Sequence, residues 1–326
     1  ISVLAVIALS AYLALFPAIA IKLVHQFHSS AARVIGLASS WAIMEWARGQ
    51  LFTGFPWAGL AESQVDGPFF AWATIFGGLA CAWFCVGLAA YLSQSKHNLF
   101  TKFVASITIV SASHALGLIS FTEPIGRPID VTLIQGNFPQ SLKFDPEYIH
   151  QQVSFYSNAI KSSDSHLVVA PETAFPLPLK AIPQELISNI KPNIAKKNVI
   201  LGVVSTGNSG LPTNSAIALN QSNLIYQYDK SHLVPFGEFI PWGFQWFVDL
   251  FKVPLGNFER GSMNQTPYIL DQGTDQIAVG LMICYEDVFG GELAARIAHS
   301  DKPVNLLINM TNLAWFGKSQ ASTQQL

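Results

Sequence analysis

The chain has 326 residues, half of them hydrophobic and only 12% charged, with a net charge of −2 and a mean hydropathy of +0.35. The charged fraction is about half the roughly 25% usual for soluble domains, which argues against a wholly soluble protein, and the near-neutral balance argues against nucleic acid as a partner. The deficit is uneven: Lys22, Arg33, Glu45, Arg48, Glu62, Asp66, Lys96 and Lys102 are the only charged side chains before residue 122. The change near Phe121–Pro128 predicts two domains, a helical membrane domain over 1–121 and a polar domain over 122–326.

Four apolar stretches approach the length that crosses a bilayer, Ile1–Val24, Ala31–Trp46, Phe69–Leu92 and Phe103–Phe121. Pro17 predicts a kink in the first, and the second is the shortest. Lys22 and Arg33 flank the first connection, and Lys96 and Lys102 the third. The positive-inside rule makes those two connections cytoplasmic and puts everything after Thr122 on the outer face. The second connection, GFPWAGLAESQVDGPFF (Gly54–Phe70), is rich in aromatics; it reads either as an interfacial anchor or as a lid for lipid entry. Cys81 and Cys85 lie in an apolar stretch and read as small packing residues rather than as a disulfide or a metal site.

From Asp130 onward short apolar runs alternate with amphipathic ones, which predicts an α/β layered domain. Asp130–Gln135, His166–Ala170, Val199–Ser205, Thr213–Leu219, Gln276–Cys284 and Val304–Met310 read as strands. Pro146–Lys161, Ile182–Lys197 and Val288–His299 read as helices. Three segments at the ends of such strands carry reactive groups. HLVVAPETAFP places Glu172 past a buried strand between two prolines, YQYDKSHLVPFGEFIP places Lys230 before a rigid turn, and LMICYEDV delivers Cys284.

Each residue has a plain structural explanation when taken singly: a capping carboxylate, a solvated turn lysine, a buried thiol. Together they suggest a site at one edge of a sheet. A thiol reacts as thiolate, and the acids Glu286 and Asp287 that follow Cys284 disfavour that form. A carboxylate in a dry pocket can take the thiol proton, and a lysine ammonium can oppose the acids and hold an oxyanion. If the segment stays extended, Tyr285 points away from Cys284.

PETAFP, DKSHLVPFGEFIP and ICYEDVF resemble the three signature segments of the nitrilase superfamily. With QGNFPQSLKFD, the aromatic loop and the preceding apolar helices, the chain resembles the apolipoprotein N-acyltransferases, the membrane-bound branch of that superfamily. The resemblance implies an α-β-β-α sandwich and a Glu172–Lys230–Cys284 catalytic set, with Glu238, Tyr285 and Glu286 in support. It implies ping-pong acyl transfer without metal or cofactor, from a phospholipid such as phosphatidylethanolamine, through a Cys284 thioester, to the amine of a diacylglyceryl apolipoprotein. The setting it implies is a bacterial inner membrane crossed several times, with the catalytic domain on the periplasmic side. The alternatives are a membrane-tethered amidase that uses water as final acceptor, and a scaffold without activity. Two departures stand out: the family carries an acid where this chain has Leu313, and both ends of the chain lie inside the family's usual extent.

Overall fold

A computed structural model of the chain describes residues 2–94, 96–139, 142, 145–182, 197–220, 223–246, 248, 256–272, 275–317 and 319–320. The chain divides into two units, Ile1–Pro124 and Ile125–Leu326.

The first unit is helical: α1 (Ser2–Val24), α2 (Ser30–Arg48), a single turn α3 (Ala73–Phe76), α4 (Gly78–Gln94) and α5 (Leu99–Gly117). Small residues let the helices approach closely. Ala20, Ala38 and Ala82 are fully buried, and Ser40 Oγ donates across to Ala20 O at 3.1 Å as well as back to Gly36 O at 2.7 Å. Large side chains such as Leu4, Ile7, Phe103 and Ile107 point outward instead. Val3–Val24 and Leu99–Gly117 are long and apolar enough to cross a membrane, whereas Gly78–Ser93 is apolar but shorter. The stretch expected as one span over Phe69–Leu92 is broken. Phe70–Trp72 is a 3-10 turn, α3 follows, and Gly77 adopts φ +77 before α4 begins. The Gly77-Gly78 pair permits that break because glycine enters positive φ at no steric cost. Helix α1 runs on through Pro17. In the aromatic loop, Glu45 Oε1 accepts from Trp41 Nε1 at 3.0 Å and from Leu60 N at 2.9 Å, which ties the loop back to α2.

The second unit is built on two sheets. The first comprises β1 (Val131–Leu133), β2 (Leu167–Val169), β4 (Asn198–Thr206), β5 (Pro212–Asn220) and β6 (Asn223–Asp229) in the order β1-β2-β4-β5-β6, with β3 (Phe175–Pro178) also paired to β4. The second has the order β7 (Tyr268–Gln272), β8 (Asp275–Ile283), β9 (Leu306–Met310). Helix α6 (Pro146–Ser162) begins at Asp145, whose side chain accepts from Glu147 N, with Pro146 in the first turn. Its Val153, Tyr156 and Ile160 pack on Val168, Val199, Leu201 and Ile217 of the first sheet. The opposite face of that sheet, Leu167, Val169, Ile200, Ala216, Ala218 and Tyr228, packs on Leu270, Val279, Leu281, Ile283 and Met310 of the second. Alternation along each strand separates the two cores, one inside the sheet pair and one beneath the helix. Helix, sheet and sheet thus supply three layers of the expected sandwich.

Two differences from expectation matter for the site. Strand β8 stops at Ile283, and Cys284–Val288 is a 3-10 turn that precedes α7 (Gly290–Ala298). Strands β3 and β7 were not anticipated; prolines at 176 and 178 disguise the first. The expected helix Ile182–Lys197 falls mostly on 183–196, outside the described residues.

Candidate active site

Three turns converge at the end of the sheet pair. Glu172 follows β2, Lys230 follows β6 and Cys284 follows β8. Each turn holds one non-glycine residue at positive φ: Thr173 at +50, Phe236 at +59 and Cys284 itself at +54. Such conformations cost energy and persist only where the surroundings enforce them, so they gather at functional sites. The first turn also leans on β4. A Cβ at Gly202 would stand 2.6 Å from Pro171 O and 2.7 Å from Glu172 Cα, so only glycine lets the strand pass beneath Glu172.

Lys230 is 1% exposed and Glu172 5%, so their charges meet with little water between them. Lys230 Nζ lies 3.6 Å from Glu172 Oε1 and 3.0 Å from Glu238 Oε2. Asn214 Nδ2 donates to Glu172 Oε1 and to Glu238 Oε1, both at 2.7 Å. The second Glu172 oxygen accepts from Asn312 N at 3.1 Å, and the second Glu238 oxygen from Val234 N at 2.8 Å. Burial alone would lower the Lys230 pKa; the Glu172 and Glu238 carboxylates outweigh it and hold the ammonium above the ordinary lysine range. Lys230 is therefore a permanent cation.

Cys284 faces the same charges. Burial, and after it the Glu172 carboxylate, push its thiol up to about 12, with Lys230 and the Thr311 hydroxyl opposing. The resting sulfur is thus a protonated thiol, and attack on a carbonyl needs a base at the moment of reaction. Lys230 acts in the direction expected of it but does not prevail.

The two acids that follow Cys284 in sequence behave otherwise than expected. Glu286 is turned into the fold. Its Oε1 accepts from Ser231 N at 2.7 Å, Ser231 Oγ at 2.6 Å and His232 N at 3.1 Å. Its Oε2 accepts from Ile283 N at 2.8 Å, and Tyr228 OH lies 2.9 Å from both oxygens. Glu286 therefore staples the Lys230 turn to the end of β8. Asp287 Oδ2 accepts from Asn309 Nδ2 at 2.6 Å. The acids that burden the thiol come from elsewhere in the chain, Glu172 first and Glu238 after it. Tyr285 lies within the 3-10 turn, so strand alternation does not place it; its ring packs against His232 and Phe289.

Three contributors were not anticipated by sequence reasoning: the Asn214 side chain, the Tyr228 hydroxyl and the Asn312 backbone. Asn214 left a faint signal, the middle residue of a polar Thr213-Asn214-Ser215 run that precedes the apolar part of β5. The turn Leu313–Phe316 forms with leucine at its first position, because Asn312 caps it by accepting from Ala314 N at 3.1 Å. Among the described residues no group of three or more His, Cys, Asp or Glu could hold a metal ion.

Residues 130–326 match the model of the carbon-nitrogen hydrolase family, which is the class that the facing sheets and the cysteine-bearing turn define. Residues 1–91 match the model described as the apolipoprotein N-acyltransferase N-terminal domain. An apolipoprotein N-acyltransferase from Ralstonia nicotianae is 38% identical over 99% of this chain and 63% of its own length. One from Nitrosomonas europaea is 35% identical over 100% of this chain and 66% of its own. A solved carbon-nitrogen hydrolase from Helicobacter pylori G27 is similar at 20% identity and a TM-score of 0.37, over 56% of this chain and 59% of its own. The chain belongs to the apolipoprotein N-acyltransferase family. It spans 63% and 66% of the length of those two curated relatives.

Proposed function

We propose that this protein transfers an acyl chain from a phospholipid to the N-terminal amine of a diacylglyceryl apolipoprotein, by way of a thioester on Cys284. In the first half-reaction Glu172 takes the thiol proton as sulfur attacks the ester carbonyl. Lys230, whose charge acts on Cys284, supplies the cation for the tetrahedral oxyanion. As the carbon–oxygen bond breaks, Glu172 returns that proton to the departing lysophospholipid oxygen, and the acyl group stays on sulfur. In the second half-reaction the lipoprotein amine attacks the thioester, Glu172 takes a proton from the nitrogen, and the carbon–sulfur bond breaks. The proton ends on Cys284, leaving an amide and a regenerated thiol. Glu238 and Glu286 support this chemistry, the first by fixing Lys230 and the second by joining the two turns, and Tyr285 does so by packing beside them.

The observation that carries the reading is the pairing of a protonated, half-buried thiol with a carboxylate–lysine pair at the same strand ends. The outward-facing apolar side chains of α1 and α5 suit lipid rather than water. The reading places 1–121 in a bacterial inner membrane as several crossings, with 122–326 on the periplasmic side and phosphatidylethanolamine as donor. The loop Gly54–Phe70 would then meet lipid.

The test is intact mass spectrometry of the protein after incubation with phosphatidylethanolamine in detergent, beside Cys284→Ala. An acyl mass on the protein, lost with neutral hydroxylamine and absent from the variant, supports the thioester. Lysophospholipid and free fatty acid without an adduct would make it a hydrolase, and no turnover at all would leave a scaffold. Removing the aromatics of Gly54–Phe70 should slow adduct formation, and an unchanged rate would detach that loop from lipid entry.

A further inference from the structure

We propose that Asn214 is a positioning residue that keeps Glu172 available as the base, by donating one amide hydrogen to each of the two carboxylates that flank Lys230. The idea deepens the acyl-transfer reading and rests on Glu172 being its base. Asn214 lies on β5 two residues before Ala216, so it shares the inner face of the sheet with Ala216 and Ala218 and stands at the edge where that core gives way to the site. It also fixes the lysine turn directly, since Lys230 N donates to Asn214 O at 2.8 Å.

The side-chain orientation follows from its neighbours. Both partners at 2.7 Å are carboxylate oxygens, so the amide must present nitrogen to them; the flipped amide would set three acceptors together. Both N–H groups are then committed. The cost is visible on the other side of the amide, where Asn214 Oδ1 is buried with no hydrogen-bond partner among the described residues. A native fold retains a buried orphan acceptor where the opposing bonds are worth more, and bonds to ionised carboxylates are about twice as strong as neutral ones.

The electrostatic consequence is specific. Glu172 and Glu238 share one cation, Lys230, at 3.6 and 3.0 Å. Two carboxylates around a single ammonium leave a surplus negative charge, and the two acids repel one another. Two N–H donors from one rigid amide offset that repulsion and hold both carboxylates in place around the lysine.

The test measures Cys284 modification by iodoacetamide, a neutral probe that needs no lipid, across the acidic and neutral range in the full protein. In Asn214→Ala the carboxylates lose their donors. The acid side of the reactivity profile should move to higher pH by about one unit, with about tenfold slower modification at a fixed pH on that limb. Asn214→Asp keeps the shape and adds a third acid, so it should move the profile in the same direction; it carries the test if the alanine variant does not fold. A profile that stays in place in the folded variant, whether or not the overall rate falls, overturns the proposal and leaves Asn214 a packing residue. A shifted profile in a protein that never accepts an acyl chain would keep the role of Asn214 and refute acyl transfer instead.

Discussion

Glu286→Gln tests whether the buried carboxylate behind Cys284 is the staple that aligns the two turns. The substitution keeps the size of the side chain and replaces one acceptor oxygen with an NH₂. If the retained oxygen stays where Ser231 and His232 need it, the NH₂ faces the Ile283 N–H, now 2.8 Å from Oε2. That donor loses this acceptor in a dry setting, at about 1–3 kcal/mol, and the remaining bonds lose the strengthening that the charge supplied. The two effects together amount to about 2–4 kcal/mol, a large part of a typical margin of stability. Amide hydrogen exchange reads this locally. Exchange at Ser231, His232 and Ile283 should accelerate by about 30-fold or more, since 1.4 kcal/mol is a factor of ten for an opening equilibrium. Acyl adduct formation should slow in parallel, because Lys230 and Cys284 lose their common anchor. Unchanged exchange at those three amides would refute the staple and reduce Glu286 to one of several redundant acceptors.

Lys230→Met leaves Glu172 and Glu238 facing each other without a cation and removes the oxyanion partner, so acyl adduct formation should fall by about a hundredfold or more; a loss under tenfold would move the oxyanion elsewhere. Glu172→Gln separates ionisation from catalysis. It removes a charge that helps push the Cys284 pKa up to about 12, so alkaline modification of the thiol should set in at lower pH while acyl transfer is lost, and transfer that persists would deny Glu172 its role as base. Gly202→Ala forces Pro171 and Glu172 off β4, at about 1–3 kcal/mol of overpacking. A thermal midpoint and adduct rate equal to those of the parent would show that the turn can yield.

Much of this was legible along the chain because it depends on local pattern. The amphipathic spacing of Val153, Tyr156 and Ile160 and the Asp145-Pro146 start specify α6 within a residue of its observed end. Glu172 and Cys284 stood out because each interrupts or ends an apolar run, and Lys230 because it follows a strand and precedes a rigid turn. Where the reading slipped, a local rule was overridden. Cys284 looked like the last residue of a strand, yet β8 ends at Ile283 and the thiol sits at φ +54 in a turn. The turn is tied by Glu286 to Tyr228, Ser231 and His232, which no window around 284 contains. The third apolar stretch looked continuous by hydropathy, yet backbone freedom at Gly77 breaks it.

The sequence by itself determined the chemical inventory, the alternation that makes two sheets and a helix, and the contrast between an apolar and a polar half. Those follow from side-chain identity and from periods of two and about 3.6 residues. The tertiary structure decided which charges act on which atoms. Proximity in the chain pointed to Glu286 and Asp287 as the acids that burden Cys284, whereas folding turns Glu286 toward five donors and brings Glu172 to the thiol instead. It also recruited Asn214, whose place between two carboxylates depends on the pairing of β5 with both β4 and β6. Electrostatic energy depends on distance through space and on the water excluded along it, and both are properties of the packed chain.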